Sequence, residues 1–358
     1  MDEDTKEHKT LIKLCVIAVT SVCYCYLIPV KIPNGISRLL SLLPVIFIFC
    51  ILPLPISTVH LTFPTFFFLV WLGNFKLLLL AFNRGPLSPE PRLPLLTFIS
   101  IALLPINPKK CSKIPDASPY PVPKPVVLAV KAVILAVIID AYEYKENIHW
   151  SVIRGLYFAH IYLGFEIGFA VTALLVKIIL GFDFEIEPHF NEPYLATSVQ
   201  DFWGRRWNLM SSSILRVSVY NPMRAIWAPT LGALWGQVVA ILATFVVSGL
   251  MHELMFLYMM RVRPTWEVTW YFVVQGVCVA AEVVAKKAVN GRFRLHRVVS
   301  GSLAMVFIFV TGGWLFLVQP LRNGVDVKII NESSALLNEI RSQWRDFKVF
   351  LNRFLTFV

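Results

Sequence analysis

A histidine and a glutamate stand side by side in VVSGLMHELMFLY, residues 246–258, a run that is otherwise almost wholly apolar. Polar groups in such a run lose hydration and need a partner or a task in return. For His252 that task can be chemical. Away from water an imidazole stays neutral, with one nitrogen as donor and the other as acceptor. It can then take a proton from a hydroxyl held within hydrogen-bond reach. Glu253 projects about 100° further around a helix, so adjacency alone does not make the two a dyad. HELMF opens like a zinc-binding HExxH, but Phe256 replaces the second histidine and no other spacing in the chain suggests a metal.

The second constellation lies in FNEPYLATSVQDFWGRRWNLMSSSILRVSVYNPMR, residues 190–224. Asp201, Trp203, Arg205, Arg206, Trp207 and Asn208 fall within eight residues of one another. One reading places an amphipathic element at the membrane surface, with tryptophans at headgroup depth and arginines on lipid phosphates. The other reads a shallow site for an anionic co-substrate, because arginine forks match phosphate geometry. Asn208 would then orient a thioester carbonyl or its leaving group. Composition leaves both readings open.

The elements that must position these groups are membrane helices. Of the 358 residues 57% are hydrophobic and 15% charged, against about a quarter charged in soluble domains; the mean hydropathy is +0.67. Runs at 11–30, 39–58, 61–82, 126–142, 156–180, 229–250, 266–285 and 298–318 are each about long enough to cross a hydrocarbon core of roughly 30 Å. The fold class is therefore all-α, a polytopic integral membrane protein of about eight spans (range seven to ten) around an intramembrane reaction chamber. The short runs 93–104 and 251–260 suit re-entrant or interfacial pieces. The net charge of +11 reflects orientation rather than nucleic-acid binding, since basic residues cluster in the loops 83–124 and 286–297. Both loops should face the cytoplasm, and alternation then puts residues 181–225 there too.

Four parts follow. Residues 1–82 form a three-helix membrane unit. Residues 83–125, which hold eleven of the 23 prolines, form a basic stretch that resists helix. Residues 126–320 form a membrane core that includes the loop 181–225, and residues 321–358 an amphipathic tail. In the tail Leu337, Ile340, Trp344, Phe347, Leu351, Phe354 and Val358 recur at three- and four-residue steps, with Arg341, Arg345, Lys348 and Arg353 mostly off that stripe. The membrane interface, the bundle itself or a coiled-coil partner would each suit it. The acidic N-terminus precedes a retained first span rather than a cleaved signal, and LTFV carries no lipidation or retention signal. The six cysteines show no disulfide framework.

Taken jointly, QDFWGRRWN and SGLMHELMF resemble the plant wax synthase branch of the membrane-bound O-acyltransferases. CYCYLIPVKIP, WLGNFKLLLLAFNRGPLSP and WEVTWYFVVQGVCVAAEVVAKK extend the resemblance over nearly the whole chain. It implies transfer of a fatty acyl group from acyl-CoA, as co-substrate and without a further cofactor, to a long-chain fatty alcohol, or to a sterol as the near alternative. It also implies a catalytic His252 and Asn208, residence in the bilayer of the endoplasmic reticulum, and direct attack of the alcohol without an acyl-enzyme. Gly204-Arg205-Arg206 departs from the motif of the sterol and diacylglycerol acyltransferases of the superfamily and fits the wax synthase branch. Two other classes remain open: a transporter using His160, Glu166, His252 and Glu282 as a polar path, and an inactive homologue. The sequence carries no signal of oligomeric state.

Overall fold

The computed structural model describes residues 2–88, 92–108, 124–181, 184–289 and 296–357. Lys109, Lys110, Cys111, Lys113, Arg292 and Arg294 lie outside the described residues, as do the side chains of Leu351, Arg353, Phe354 and Val358. Of the described residues 83% are helical, and none lies in a strand. In chain order the helices are α1 (Asp2–Leu27), α2 (Ile36–Ile51), α3 (Val59–Ala81), α4 (Leu95–Leu103), α5 (Lys124–Ala141) and α6 (Trp150–Leu180). The continuous helical stretch Leu209–Met260 carries a non-helical residue, Gly232, that divides it into α7 (209–231) and α8 (233–260). Then come α9 (Glu267–Val289), α10 (Arg297–Phe316), α11 (Val318–Arg322) and α12 (Val325–Phe357). Among the described residues, counting 209–260 once, seven helical stretches are long and apolar enough to cross a membrane.

Two expectations need correction. The run 39–58 is not one helix: α2 stops at Ile51 and a turn follows. Pro53 and Pro55 lack the amide hydrogens that would extend it. Residues 251–260, too short to stand alone, are the last part of α8 and carry His252 in the middle of regular helix.

The turn at Gly232 is sharp. In a straight helix residues eight apart lie about 12 Å apart, yet a Cβ added to Gly236 would lie 2.6 Å from the Cα of Ala228. Tyr220 likewise packs in one cluster with Val238 and Ile241. The chain therefore reverses, and α7 and α8 form an antiparallel hairpin. Gly232 adopts φ 82, ψ 161, which an L side chain resists, and Gly236 lets the two backbones meet.

Basic side chains finish two helix ends. Arg38 donates to the carbonyls of Ile32 (2.7 Å) and Leu80 (3.1 Å). Lys76, fully buried, donates to the carbonyls of Ile101 (2.6 Å) and Leu104 (2.7 Å) at the end of α4. Pro105 has no N–H for Ile101, so Lys76 supplies the missing donor. Lys76→Met should leave that carbonyl unpaired and cost about 1–3 kcal/mol, read as a lower melting temperature in detergent.

The bundle has two distinct ends. At one, Gly35 N meets the Ala81 carbonyl (2.7 Å), Glu187 N meets that of Asn107 (3.0 Å), and Ser300 Oγ donates to that of Thr197 (2.7 Å). At the other, polar contacts of α11 and α12 gather the remaining helix ends. Arg322 pairs with Glu267 (2.8 Å), Asp326 with Lys145 (2.6 Å), and Arg341 with Asp140 (2.6 Å). The Glu332 carboxylate accepts from the amides of Val59 and His60, both at 2.9 Å, at the start of α3. Burial alone would raise that carboxyl, but the His60 and Val59 hydrogen bonds outweigh it and hold it below the ordinary range.

Candidate active site

His252 Nδ1 lies 2.7 Å from the carbonyl oxygen of Ser248, one turn earlier in α8. A carbonyl only accepts, so Nδ1 carries the proton and Nε2 is left with its lone pair. Three aromatic rings surround the imidazole. Phe272 of α9 is 4.3 Å away between centroids, Trp71 of α3 stands edge-to-face at 5.0 Å, and Phe316 of α10 lies at 5.9 Å. Glu253 is buried and turns elsewhere, 3.4 Å from the amide and hydroxyl of Thr269 at the start of α9. The pair that looked like one polar unit is thus two separate groups.

Two of the three rings sit on widened turns. π-helical segments run through Phe66–Gly73 and Gly312–Phe316, and two more through Phe202–Arg206 and Arg216–Tyr220. Such bulges recur at functional sites because they re-aim side chains within a helix. Trp71 is 2% exposed, and its indole N–H has no hydrogen-bond partner among the described residues. A buried donor adjacent to a base is a feature to account for.

The tryptophan-arginine motif does not stand apart from the bundle. It descends along α9. The amides of Val199 and Gln200 donate to the Glu282 carboxylate at 3.0 and 3.1 Å. Trp203 Nε1 then donates to Gln275 Oε1 at 3.0 Å, and the Trp203 ring meets Phe272 at 5.7 Å. From Glu282 to Phe272 is ten residues of helix, about 15 Å. Phe272 is also the ring nearest His252, so one helix face joins the two constellations. The rest of the expected loop, 209–225, is helix α7, and Met210, Ile214 and Leu215 pack in the same cluster as Trp71 and Phe272.

Each remaining motif residue has a defined setting. Asp201 Oδ2 accepts from Arg206 Nε (2.8 Å) and from Thr197 N (3.0 Å). Burial would raise the Asp201 carboxyl, but the Thr197 amide and the Arg206 guanidinium hold it below the usual carboxylate range. Arg206 also reaches the carbonyls of Asn191 and Glu192, both at 3.2 Å. Trp207 stacks on Phe202 at 5.5 Å and meets Phe190 at 5.1 Å. Asn208 takes a left-handed backbone conformation (φ 39, ψ 63) and caps α7, its Oδ1 accepting from Ser211 N at 3.1 Å. Its Nδ2 makes no bond among the described residues. Arg205 is exposed and has no hydrogen bond or ion pair among the described residues. Of the two arginines, Arg206 holds the fold of the motif and Arg205 faces outward.

Residues 186–274, which contain both the motif and His252, match the family model described as "Membrane bound O-acyl transferase family". The chain is 48% identical over 342 residues to the Long-chain-alcohol O-fatty-acyltransferase of Simmondsia chinensis, covering 94% of this chain and 96% of that protein. The chain belongs to the membrane-bound O-acyltransferase family. It is an O-acyltransferase and an integral, multi-pass membrane protein. Two further O-acyltransferases from Arabidopsis thaliana are similar at full length. Probable long-chain-alcohol O-fatty-acyltransferase 1 is 45% identical over 336 residues, covering 93% of this chain and 97% of its own. Acyl-CoA--sterol O-acyltransferase 1 is 42% identical over 330 residues, covering 91% and 95%.

Sequence reasoning missed the rings around His252, namely Trp71, Phe272 and Phe316, and the Gln275 and Glu282 anchors. In an apolar run, aromatic residues look alike whether they face lipid or a base. Glu282 did stand out as a charge inside a span, and its task is to hold the motif. Two other polar groups within the spans also have local contacts: Glu166 pairs with Lys131 at 2.6 Å, and His160 stacks on Tyr142 at 5.8 Å.

Proposed function

We propose that this enzyme transfers a fatty acyl group from acyl-CoA to a long-chain alcohol, forming a wax ester, in the membrane of the endoplasmic reticulum. The observation that carries the mechanism is the tautomer of His252: with Nδ1–H given to Ser248, Nε2 is the free base. The names of the relatives support the substrates. The alcohol hydroxyl gives its proton to Nε2 as its oxygen attacks the thioester carbonyl carbon. The C–S bond then breaks, and the departing CoA thiolate takes that proton back. The step needs no acyl-enzyme and no further reagent. Asn208 Nδ2 and Trp71 Nε1 are the donors free to meet the oxygen on which negative charge develops. Arg205 meets a CoA phosphate, Asp201 and Arg206 hold the motif in shape, and Trp203 and Trp207 set its depth beside α9. Aromatic walls keep water from competing with the alcohol.

A sterol as acceptor is the second reading, favoured by the similarity to a protein named for that activity. Either hydroxyl would use the same base. The test is expression in yeast stripped of its own neutral-lipid acyltransferases, giving microsomes labelled palmitoyl-CoA with hexadecanol, a sterol or diacylglycerol. Label in hexadecyl ester above the other two products is the expected result. Sterol ester alone would replace the acceptor, and no ester from any of the three would overturn the reading.

A further inference from the structure

We infer that the second half of α12 is a bilayer-surface anchor, its apolar stripe seated at the boundary between headgroups and acyl chains at the bundle end away from Arg205. The first half of the helix sets the orientation. Asp326, Glu332 and Arg341 tie it across the ends of α3, α5 and α6. Ser333 is 4% exposed and in contact with His60, while Ile330 packs into the cluster of Ile138 and Tyr157. Helices that cross a membrane end at its surface, so a helix laid across several such ends lies along that surface.

The helical wheel carries the direction onward. At 100° per residue, Ser333, Leu336, Leu337, Ile340, Trp344 and Phe347 fall within about 100° of the circumference. The face that Ser333 presses against the bundle is thus the same face that carries Ile340, Trp344 and Phe347 onward. Along it Leu336, Ile340, Trp344 and Phe347 are all at least half exposed. A protein partner is not needed to cover them, because the face already points toward the bilayer. Arg345 and Lys348 stand on one flank of the stripe, where their stems lie along lipid and their charges meet phosphates. Glu339 and Asp346 stand on the far flank. A tryptophan in the stripe suits the interfacial depth. The Asn331-Glu332-Ser333 sequon belongs to the docked part, inside regular helix with its serine buried.

The test uses the full-length chain in lipid nanodiscs, with its six cysteines replaced and one cysteine restored at a time. Ile340→Cys and Phe347→Cys lie on the stripe, whereas Asn338→Cys and Asp346→Cys lie off it. Each carries a polarity-sensitive fluorophore, and the lipid carries a nitroxide at headgroup or mid-chain depth. Blue-shifted emission with several-fold stronger quenching by the shallow nitroxide is expected at the two stripe positions alone. Equal, water-like emission at all four positions overturns the inference. So does a blue shift that no lipid nitroxide quenches, which would mean a protein covers the stripe. The unmodified chain provides a second reading that survives any folding defect of the cysteine-free protein. Trypsin should cut after Arg345 and Lys348 several-fold more slowly in nanodiscs than in amphipol, and equal rates overturn the inference.

Discussion

Replacing His252 by alanine should slow ester formation by about a hundredfold to ten-thousandfold, the range a positioned general base contributes. Protein level and melting temperature should change little by comparison. Alanine also leaves a gap between Trp71, Phe272 and Phe316, so a second variant separates chemistry from packing. In His252→Asn the side-chain amide can still donate to a backbone carbonyl, but it has no basic lone pair. If Nε2 is the base, asparagine should be as inactive as alanine while keeping more of the stability. A variant that folds and keeps wild-type turnover would remove His252 from the mechanism, whatever the acceptor. Single-turnover ester formation from labelled acyl-CoA is the measurement, because it excludes product release.

Gly236→Val should do the greatest damage to the fold. A Cβ there would approach the Ala228 Cα, N and Cβ at 2.6, 2.7 and 2.9 Å. These are atoms of a facing helix, and two of the three are backbone. Neither helix can give way by rotating a side chain, so α7 must move from α8. Overpacking of this kind costs about 1–3 kcal/mol and occasionally more. Activity should fall with stability, since Asn208 caps α7 and α8 carries His252. A thermal melt of the purified variant in detergent checks the first effect, and the ester assay at a temperature where it stays folded checks the second. Gly236→Ala should show the same direction with a smaller shift. A melting temperature equal to the parent's would mean that the hairpin is looser than its contacts imply.

Several features of the fold and the site can be read directly in the amino-acid sequence. Long apolar runs mark α1, α5, α6, α9 and α10, because a bilayer demands length and hydrophobicity before anything else. His252 stands out for the opposite reason, as a polar group in such a run. The α7–α8 hairpin is not legible in this way. Arg216, Pro222 and Arg224 make residues 209–225 look like loop and 229–250 like a separate span, and no hydropathy pattern distinguishes a chain that passes through from one that turns back. The two arginines of the motif are also indistinguishable in sequence. Arg206 is separated from Arg205 only by the position of Asp201, five residues earlier, and by backbone carbonyls that the fold brings to it. The tail's periodicity is plain, but its docking depends on Asp326, Glu332 and Arg341 finding partners on distant helices.

The widened turn at Phe66–Gly73 ties function to the count of residues as well as to their kinds. A π turn holds its hydrogen bonds across one more residue than an α turn, so deleting one residue there would let the helix close into ordinary α geometry. The roughly 100° lost with that residue is regained as the widened turn tightens, so the helix on either side keeps its facing. Lys76 would stay on the Ile101 carbonyl, whereas Trp71, inside the widened segment, would lose the offset that turns it to the His252 ring. A change of length is thus absorbed where the turn is wide and felt only by the side chains within it. In this helix the spacing is information in its own right, and it is written locally, in the segment that aims Trp71.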